Sequence, residues 1–235
     1  MFGAFRSGTN YVRAIMELNY DVSVSNNLGG WKHVPVPALS RQGRWNTGAD
    51  LILLVAKEPF GWLVSLWKYA AGPGGRHVDA PASWSEFLES PLKVTRGNVE
   101  GFPSYRFSSP VDYWNAINWN LLSIPEPKRL VVRYEDVLRS PAERCAQVAA
   151  TWTLQRRARR EFVTPPATMR NLVDRPRSDV REYVTEVPFD PAPYLERSYL
   201  DGFSSSQLEM VARALDDDVV AGLEYQSWVA EALAR

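Results

Sequence analysis

The sequence predicts an α/β domain with a mostly parallel sheet. Short apolar runs at residues 1–5, 51–57 and 129–133 are each followed by a stretch with apolar residues at helical spacing. At 235 residues the chain suits one large domain that can bury a sizeable core. Apolar residues make up 45% and charged residues 23%, which excludes a disordered, collagen-like or low-complexity chain.

Residues 1–5 lead into Arg6-Ser7-Gly8-Thr9-Asn10, after which Val12, Ile15 and Met16 recur at helical spacing, so this segment reads strand, tight turn, helix. Residues 26–47 are rich in Gly, Pro, Asn and Ser and read as a loop or a set of short pieces. The continuous apolar run at 51–57 is the pattern of a central strand covered on both faces. Pro59 suits the first turn of a helix running through Trp62, Leu63, Leu66 and Trp67, and the Gly- and Pro-rich stretch 71–75 ends it. Ser83 and Glu86 have the spacing of a capping box at the start of another helix. Residues 96–110 read as an exposed loop, 111–122 as a helix, 129–133 as a further strand, and a helix begins near Ser140-Pro141. Residues 204–221 read as one amphipathic helix, with Leu208, Val211, Ala212, Leu215 and Val219 on one face and Asp216 to Asp218 towards solvent. The expected organisation is a single domain over 1–235, with a core over 1–150 and a helical C-terminal part over 151–235. Trp67, Trp84, Trp114 and Trp119 read as core, the other reading being the lining of an amphipathic cleft.

Lys plus Arg total 27 and Asp plus Glu total 27, so no global field attracts a nucleic acid or an anionic membrane, and an anionic ligand must be held by local charge. The strongest apolar run has six residues against the roughly 20 that cross a bilayer, and the N-terminus lacks a charged-then-apolar order. The expectation is a soluble, unexported, cytoplasmic protein without a membrane partner. One cysteine, Cys145, excludes an internal disulfide and a cysteine-built zinc site, and two histidines exclude a His-rich metal cluster. The run Arg156-Arg157-Ala158-Arg159-Arg160 is basic, but it reads as a helix and lacks the aromatic interleaving of a base-stacking platform, so nucleic acid is not an expected partner.

A strand that stops at a small Gly-containing turn and passes into a helix leaves the helix's first N–H groups pointing outwards, where the dipole adds about half a positive charge. Arg6-Ser7-Gly8-Thr9-Asn10 is such a turn, with a guanidinium able to fork two anionic oxygens. It lacks the Gly-Lys-Ser/Thr of nucleoside triphosphatases. A structural turn with an N-cap Thr is the other reading of these residues.

Phe5 to Tyr11 resembles the 5′-phosphosulfate loop of the sulfotransferases that use 3′-phosphoadenosine 5′-phosphosulfate (PAPS): a basic residue, Ser-Gly-Thr, a small residue and an aromatic. Three more segments match in the family's order. Lys57-Glu58-Pro59, with Ser65 eight positions after Lys57, resembles the 3′-phosphate motif; Val131-Val132-Arg133-Tyr134-Glu135-Asp136 resembles the strand ending in Tyr-Glu-Asp; Trp31-Lys32-His33-Val34-Pro35 is similar to the Lys-Thr-His-Leu-Pro segment. The resemblance covers about residues 1–150 and implies a P-loop-like three-layer sandwich and sulfuryl transfer from PAPS to a hydroxyl, or else an amine, of a small-molecule or carbohydrate acceptor.

The resemblance also implies residue roles. Arg6, with Ser7 and the N–H groups of Gly8, Thr9 and Asn10, would grip the 5′-phosphosulfate. Lys57 and Ser65 would bind the 3′-phosphate, while Tyr11 and Tyr134 take the positions of adenine-contacting aromatics, although either can instead be core. His33 is the candidate general base, with His77 and Glu58 as rivals, and Lys32 would reach the sulfate. Lys32 stands one residue before His33 where the family's lysine stands two before, Lys57 stands where Arg is usual, and the late Arg-Lys-Gly segment of mammalian cytosolic members is missing. An ATP-dependent phosphotransferase on the same topology and a non-catalytic nucleotide-binding module are the alternatives.

Overall fold

In the computed structural model, residues 1–25, 32–33, 51–72, 77–79, 81–95, 104–124, 129–158, 161–165, 167–169, 185–188 and 190–235 are described. Among them the strands are β1 (Ile52–Ala56), β2 (Leu92–Val94), β3 (Tyr105–Phe107), β4 (Arg129–Arg133), β5 (Ala167–Met169) and β6 (Thr185–Pro188). β1 and β4 pair in parallel, from Ile52 opposite Arg129 to Ala56 opposite Arg133. β2 with β3, and β5 with β6, are antiparallel pairs. The molecule is mixed α/β with a small parallel sheet.

The apolar run at 51–57 behaves as its composition requires. All five residues of β1 are buried, and the period of two sends them to opposite faces. Ile52, Leu54 and Ala56 join a cluster that includes Phe60, Trp62, Trp114, Val211 and Val219, whereas Leu53 and Val55 join Val12, Ile15, Met16, Val137 and Val148. Apolar side chains therefore cover both faces of the sheet.

The expected N-terminal strand shrinks to one parallel bridge, Phe2 to Leu54, with Phe2 N donating to Leu53 O (2.9 Å) and Val55 N donating to Phe2 O (2.9 Å). Gly3 lies so close to β1 and to the turn that a Cβ there would sit 2.4 Å from both Val55 O and Ser7 Oγ. The chain then turns away, and Ser7 N donates to Ala4 O (3.0 Å).

Among the described residues the α-helices are α1 (Thr9–Asn19), α2 (Pro59–Ala70), α3 (Trp84–Glu89), α4 (Pro110–Leu122), α5 (Tyr134–Arg139), α6 (Pro141–Thr151), α7 (Ala192–Leu195), α8 (Ser205–Ala214), α9 (Asp217–Gly222) and α10 (Gln226–Leu233). Pro stands in the first turn of α2, α4 and α6, where its missing N–H costs nothing. Half of the expected capping box of α3 moves by one residue. Ser83 Oγ accepts from Glu86 N (3.2 Å), but the Glu86 carboxylate accepts from Ala82 N (3.0 Å).

Several expectations are corrected. Within 96–110, residues 105–107 form β3 rather than loop, and 96–103 lie outside the described residues. Residues 152–158 are not helical: Arg156 bridges Tyr20, and Arg157 Nε donates to Glu17 O (2.9 Å), while 159–160 are not described. Trp114 is core and Trp67 and Trp84 pack on it, but Trp119 is 59% exposed. The single helix expected over 204–221 is two. Leu215 is extended (φ −70°, ψ 142°), and Asp216 Oδ1 accepts from Val219 N (3.0 Å), so the Asp run caps α9 and fills its first turn. No helix among the described residues is long and apolar enough to cross a membrane.

The cap makes a prediction. Asp216→Ala should lower unfolding free energy by about 1 kcal/mol in urea denaturation, whereas Ala in one continuous helix would be neutral or stabilising.

Candidate functional site

The turn before α1 is built for close approach. Arg6 (φ 70°) and Gly8 (φ 89°) both have positive φ and flank Ser7. A Cβ at Gly8 would meet the Tyr134 ring at 2.3 Å, which with its φ restricts the position to glycine. Gly8 is the N-cap of α1, no side chain caps the helix, and its first turn holds no acidic residue. Ser7 is 1% exposed, and its hydroxyl has no hydrogen-bond partner among the described residues. An orphaned buried hydroxyl beside an uncapped helix start fits an anion. The Arg6 side chain is exposed, and its guanidinium lies 5.4 Å over the Tyr69 ring.

Lys57 follows β1 directly, and Ser65 lies two turns into the α2 helix that Pro59 opens. Lys57 is 3% exposed, and its Nζ donates to Ser65 Oγ (2.6 Å). Ser65 in turn donates to Gly61 O (2.9 Å). The ammonium lies 3.8 Å over the Tyr194 ring and 5.1 Å from that of Tyr134, and the Trp114 indole fixes the Lys57 carbonyl (3.0 Å). Burial lowers the Lys57 pKa. Among the described residues no carboxylate forms an ion pair with it. Tyr134 thus touches both the Gly8 turn and the Lys57 seat, with the Tyr11 ring edge-on to it at 6.0 Å. Comparison of the chain with family models, curated proteins and solved structures finds no match.

The two histidines converge on Phe5, beside the turn. His33 lies edge-on to the Phe5 ring at 4.6 Å and His77 is 5.7 Å from it. His33 is buried, and its Nδ1 lies 2.9 Å from Gly3 O. A carbonyl only accepts, so neutral His33 carries its proton on Nδ1 and keeps a lone pair on Nε2, as a general base requires. Burial, and then Lys32, hold its pKa well below the ordinary histidine value. His77 has the same arrangement with Thr95 O (3.0 Å) and is only half-buried. Lys32 is buried and donates to Asn10 Oδ1 (2.5 Å), which ties the His33 segment to the start of α1.

Glu58, a rival base in the sequence, is fully buried and is the N-cap of α2. Its carboxylate accepts from Phe60 N (3.1 Å) and Gly61 N (2.5 Å). Behind it Glu135 accepts from Glu58 N (3.1 Å) and from the Tyr225 hydroxyl (2.8 Å). Burial raises both carboxyls, and the Glu58 charge helps push Glu135 up to about 7. Sequence reasoning missed Tyr194 and Glu135 as parts of this site. Glu135 was legible as the middle of Tyr-Glu-Asp, whereas Tyr194 lies in Pro-Ala-Pro-Tyr, a stretch with no periodicity to read.

The raised Glu135 pKa has a sign. The folded chain binds a proton that the unfolded chain releases above about 4.5, so this contribution to stability is full below that pH and is lost as pH rises through about 7. Glu135→Gln keeps the acceptor for Glu58 N and carries no charge. Its urea midpoint should gain on the wild-type midpoint from pH 4.5 to 7, His33 acting alike in both chains and cancelling from the difference.

Proposed function

We propose that the chain is a PAPS-dependent sulfotransferase of P-loop-like, three-layer architecture that moves a sulfuryl group onto a hydroxyl of a small-molecule or carbohydrate acceptor. The observation that carries this reading is the pairing of two anion seats, the Arg6 to Asn10 turn and Lys57 with Ser65, on one aromatic residue, Tyr134. Two seats flanking a ring suit a nucleoside with phosphates on both its 3′ and 5′ sides. The apolar cover on both faces of the sheet supports the architecture.

The donor supplies an activated sulfuryl group whose leaving group is a nucleotide phosphate. The tasks left to the chain are binding, charge stabilisation and removal of the acceptor proton. The turn's N–H groups, the Ser7 hydroxyl and Arg6 hold the 5′-phosphate. Arg6 acts by charge, its planar fork matching two anionic oxygens. Lys32, held by Asn10, adds a second cation there. Lys57, oriented by Ser65, receives the 3′-phosphate. His33 accepts the acceptor's proton on Nε2, and its lowered pKa keeps it neutral at pH 7.

The test is thermal stabilisation. Adenosine 3′,5′-bisphosphate should raise the melting midpoint more than AMP or magnesium-ATP does. Lys57→Ala or Ser65→Ala should abolish that preference, and His33→Ala should spare it while lowering turnover of labelled PAPS by about 10²–10⁴. A midpoint raised by magnesium-ATP and indifferent to the 3′-phosphate would make the chain a phosphotransferase. A bisphosphate preference without turnover over an acceptor panel would make it a binding module.

A further inference from the structure

We propose that the outer edge of β4 takes up an extended, acidic segment of another polypeptide, which adds to the sheet as a further strand. The surface is separate from both anion seats, and the inference does not depend on the nucleotide reading.

Backbone direction carries the first step. Leu53 O and Val55 N bond to Phe2 on one side of β1, so the alternation along the strand turns the N–H and C=O of Leu54 to β4 on the other side. Leu54 stands opposite Val131, and in a parallel pair a residue bonds to the two neighbours of its opposite number. Leu130 and Val132 therefore bond to β1, and Val131 turns its N–H and C=O away from it. Among the described residues no strand pairs with that side of β4, and no hydrogen bond engages either Val131 group. An edge of this kind is a template for a further strand.

The edge has room beside it. A groove of about 560 Å³ is bounded by β4, by Arg144 and Val148 of α6, and by Gly222, Leu223 and Glu224 at the end of α9. Apart from Val132, the residues of β4 are only half-buried. The surroundings are cationic. Arg133, Arg139 and Arg144 share the one carboxylate of Asp136, and Arg133 also lies 3.8 Å from the Glu224 carboxylate. Three guanidiniums against two carboxylates leave a positive surplus, to which Arg129 adds at the start of the strand.

Charge selects the occupant. A second copy pairing about a twofold axis at Val131 would set Arg129 opposite Arg133 of that copy at both ends, like charge against like. A segment with an apolar residue opposite Val131 and a carboxylate two positions to either side meets the same row with opposite charge, because residues two apart share a face.

The experiment adds three blocked heptapeptides to the full chain and follows backbone amide exchange by nuclear magnetic resonance. They are Thr-Glu-Thr-Val-Thr-Glu-Thr, the same peptide with Lys for Glu, and the acidic peptide with its valine N-methylated. At saturation the acidic peptide should slow exchange of the Val131 amide at least about tenfold, and its binding should weaken as salt is raised. The lysine peptide meets like charge, and the N-methylated one lacks the N–H that Val131 O accepts, so each should bind about tenfold more weakly. A Val131 amide already as protected in the chain alone as that of Val132, which bonds to β1, overturns the inference: a second copy covers the edge if that protection falls on dilution, and the chain's own residues cover it if it does not. Equal binding of the acidic and lysine peptides, an N-methylated peptide that binds as well as its parent, or an acidic peptide without effect at Val131 overturns it too.

Discussion

A single buried ammonium organises this half of the molecule. Lys57 directly follows β1, whose five residues are all buried, and nothing among the described residues forms an ion pair with it, so the surrounding structure is arranged around a charge without a contacting counter-charge. Ser65 accepts a hydrogen bond from it, Trp114 holds the Lys57 carbonyl, and the rings of Tyr134 and Tyr194 face the ammonium with their negative π-clouds. The carboxylates behind it are kept one step away. Glu58 is spent on the cap of α2, and Glu135 is pushed up to about 7 by burial and by Glu58. A site arranged in this way favours an anion from outside over an internal salt bridge.

The three residues Tyr134, Glu135 and Asp136 show how one short motif divides its work. Tyr134 faces the turn and Lys57, and Glu135 faces inward to Tyr225 and the Glu58 backbone. Asp136 is buried too, but among arginines, 2.8 Å from Arg133, 3.6 Å from Arg139 and 3.8 Å from Arg144. Helical rotation from the end of β4 separates the three side chains. A ring, a buried acid and an ion-pair hub thereby occupy consecutive positions.

Legibility followed the range of the interactions. The β1 strand and the Pro-initiated helices are local patterns that spacing places, whereas the Lys57–Ser65 pair was legible only through the resemblance of residues 57–65 to a known motif. The two helices of 205–222 were not separable by apolar spacing, because Val219 keeps the period across the break. The deciding signal was Asp216, whose side chain prefers to cap, and it was read as part of a solvated face. Tyr194 and Tyr225 were illegible because they reach Lys57 and Glu135 across 137 and 90 positions of chain, a relation that no local pattern encodes. The capping role of Glu58 was not legible because it depends on two N–H groups of the helix that Glu58 starts.

The two anion seats are proposed to belong to one nucleotide. Competition between adenosine 3′-phosphate and adenosine 5′-phosphate, followed by nuclear magnetic resonance of the free ligands, tests it most directly. The account predicts that the two monophosphates displace each other from a single site and that the 3′,5′-bisphosphate displaces both at far lower concentration. Simultaneous, independent binding of the two monophosphates, with no advantage for the bisphosphate, would contradict it.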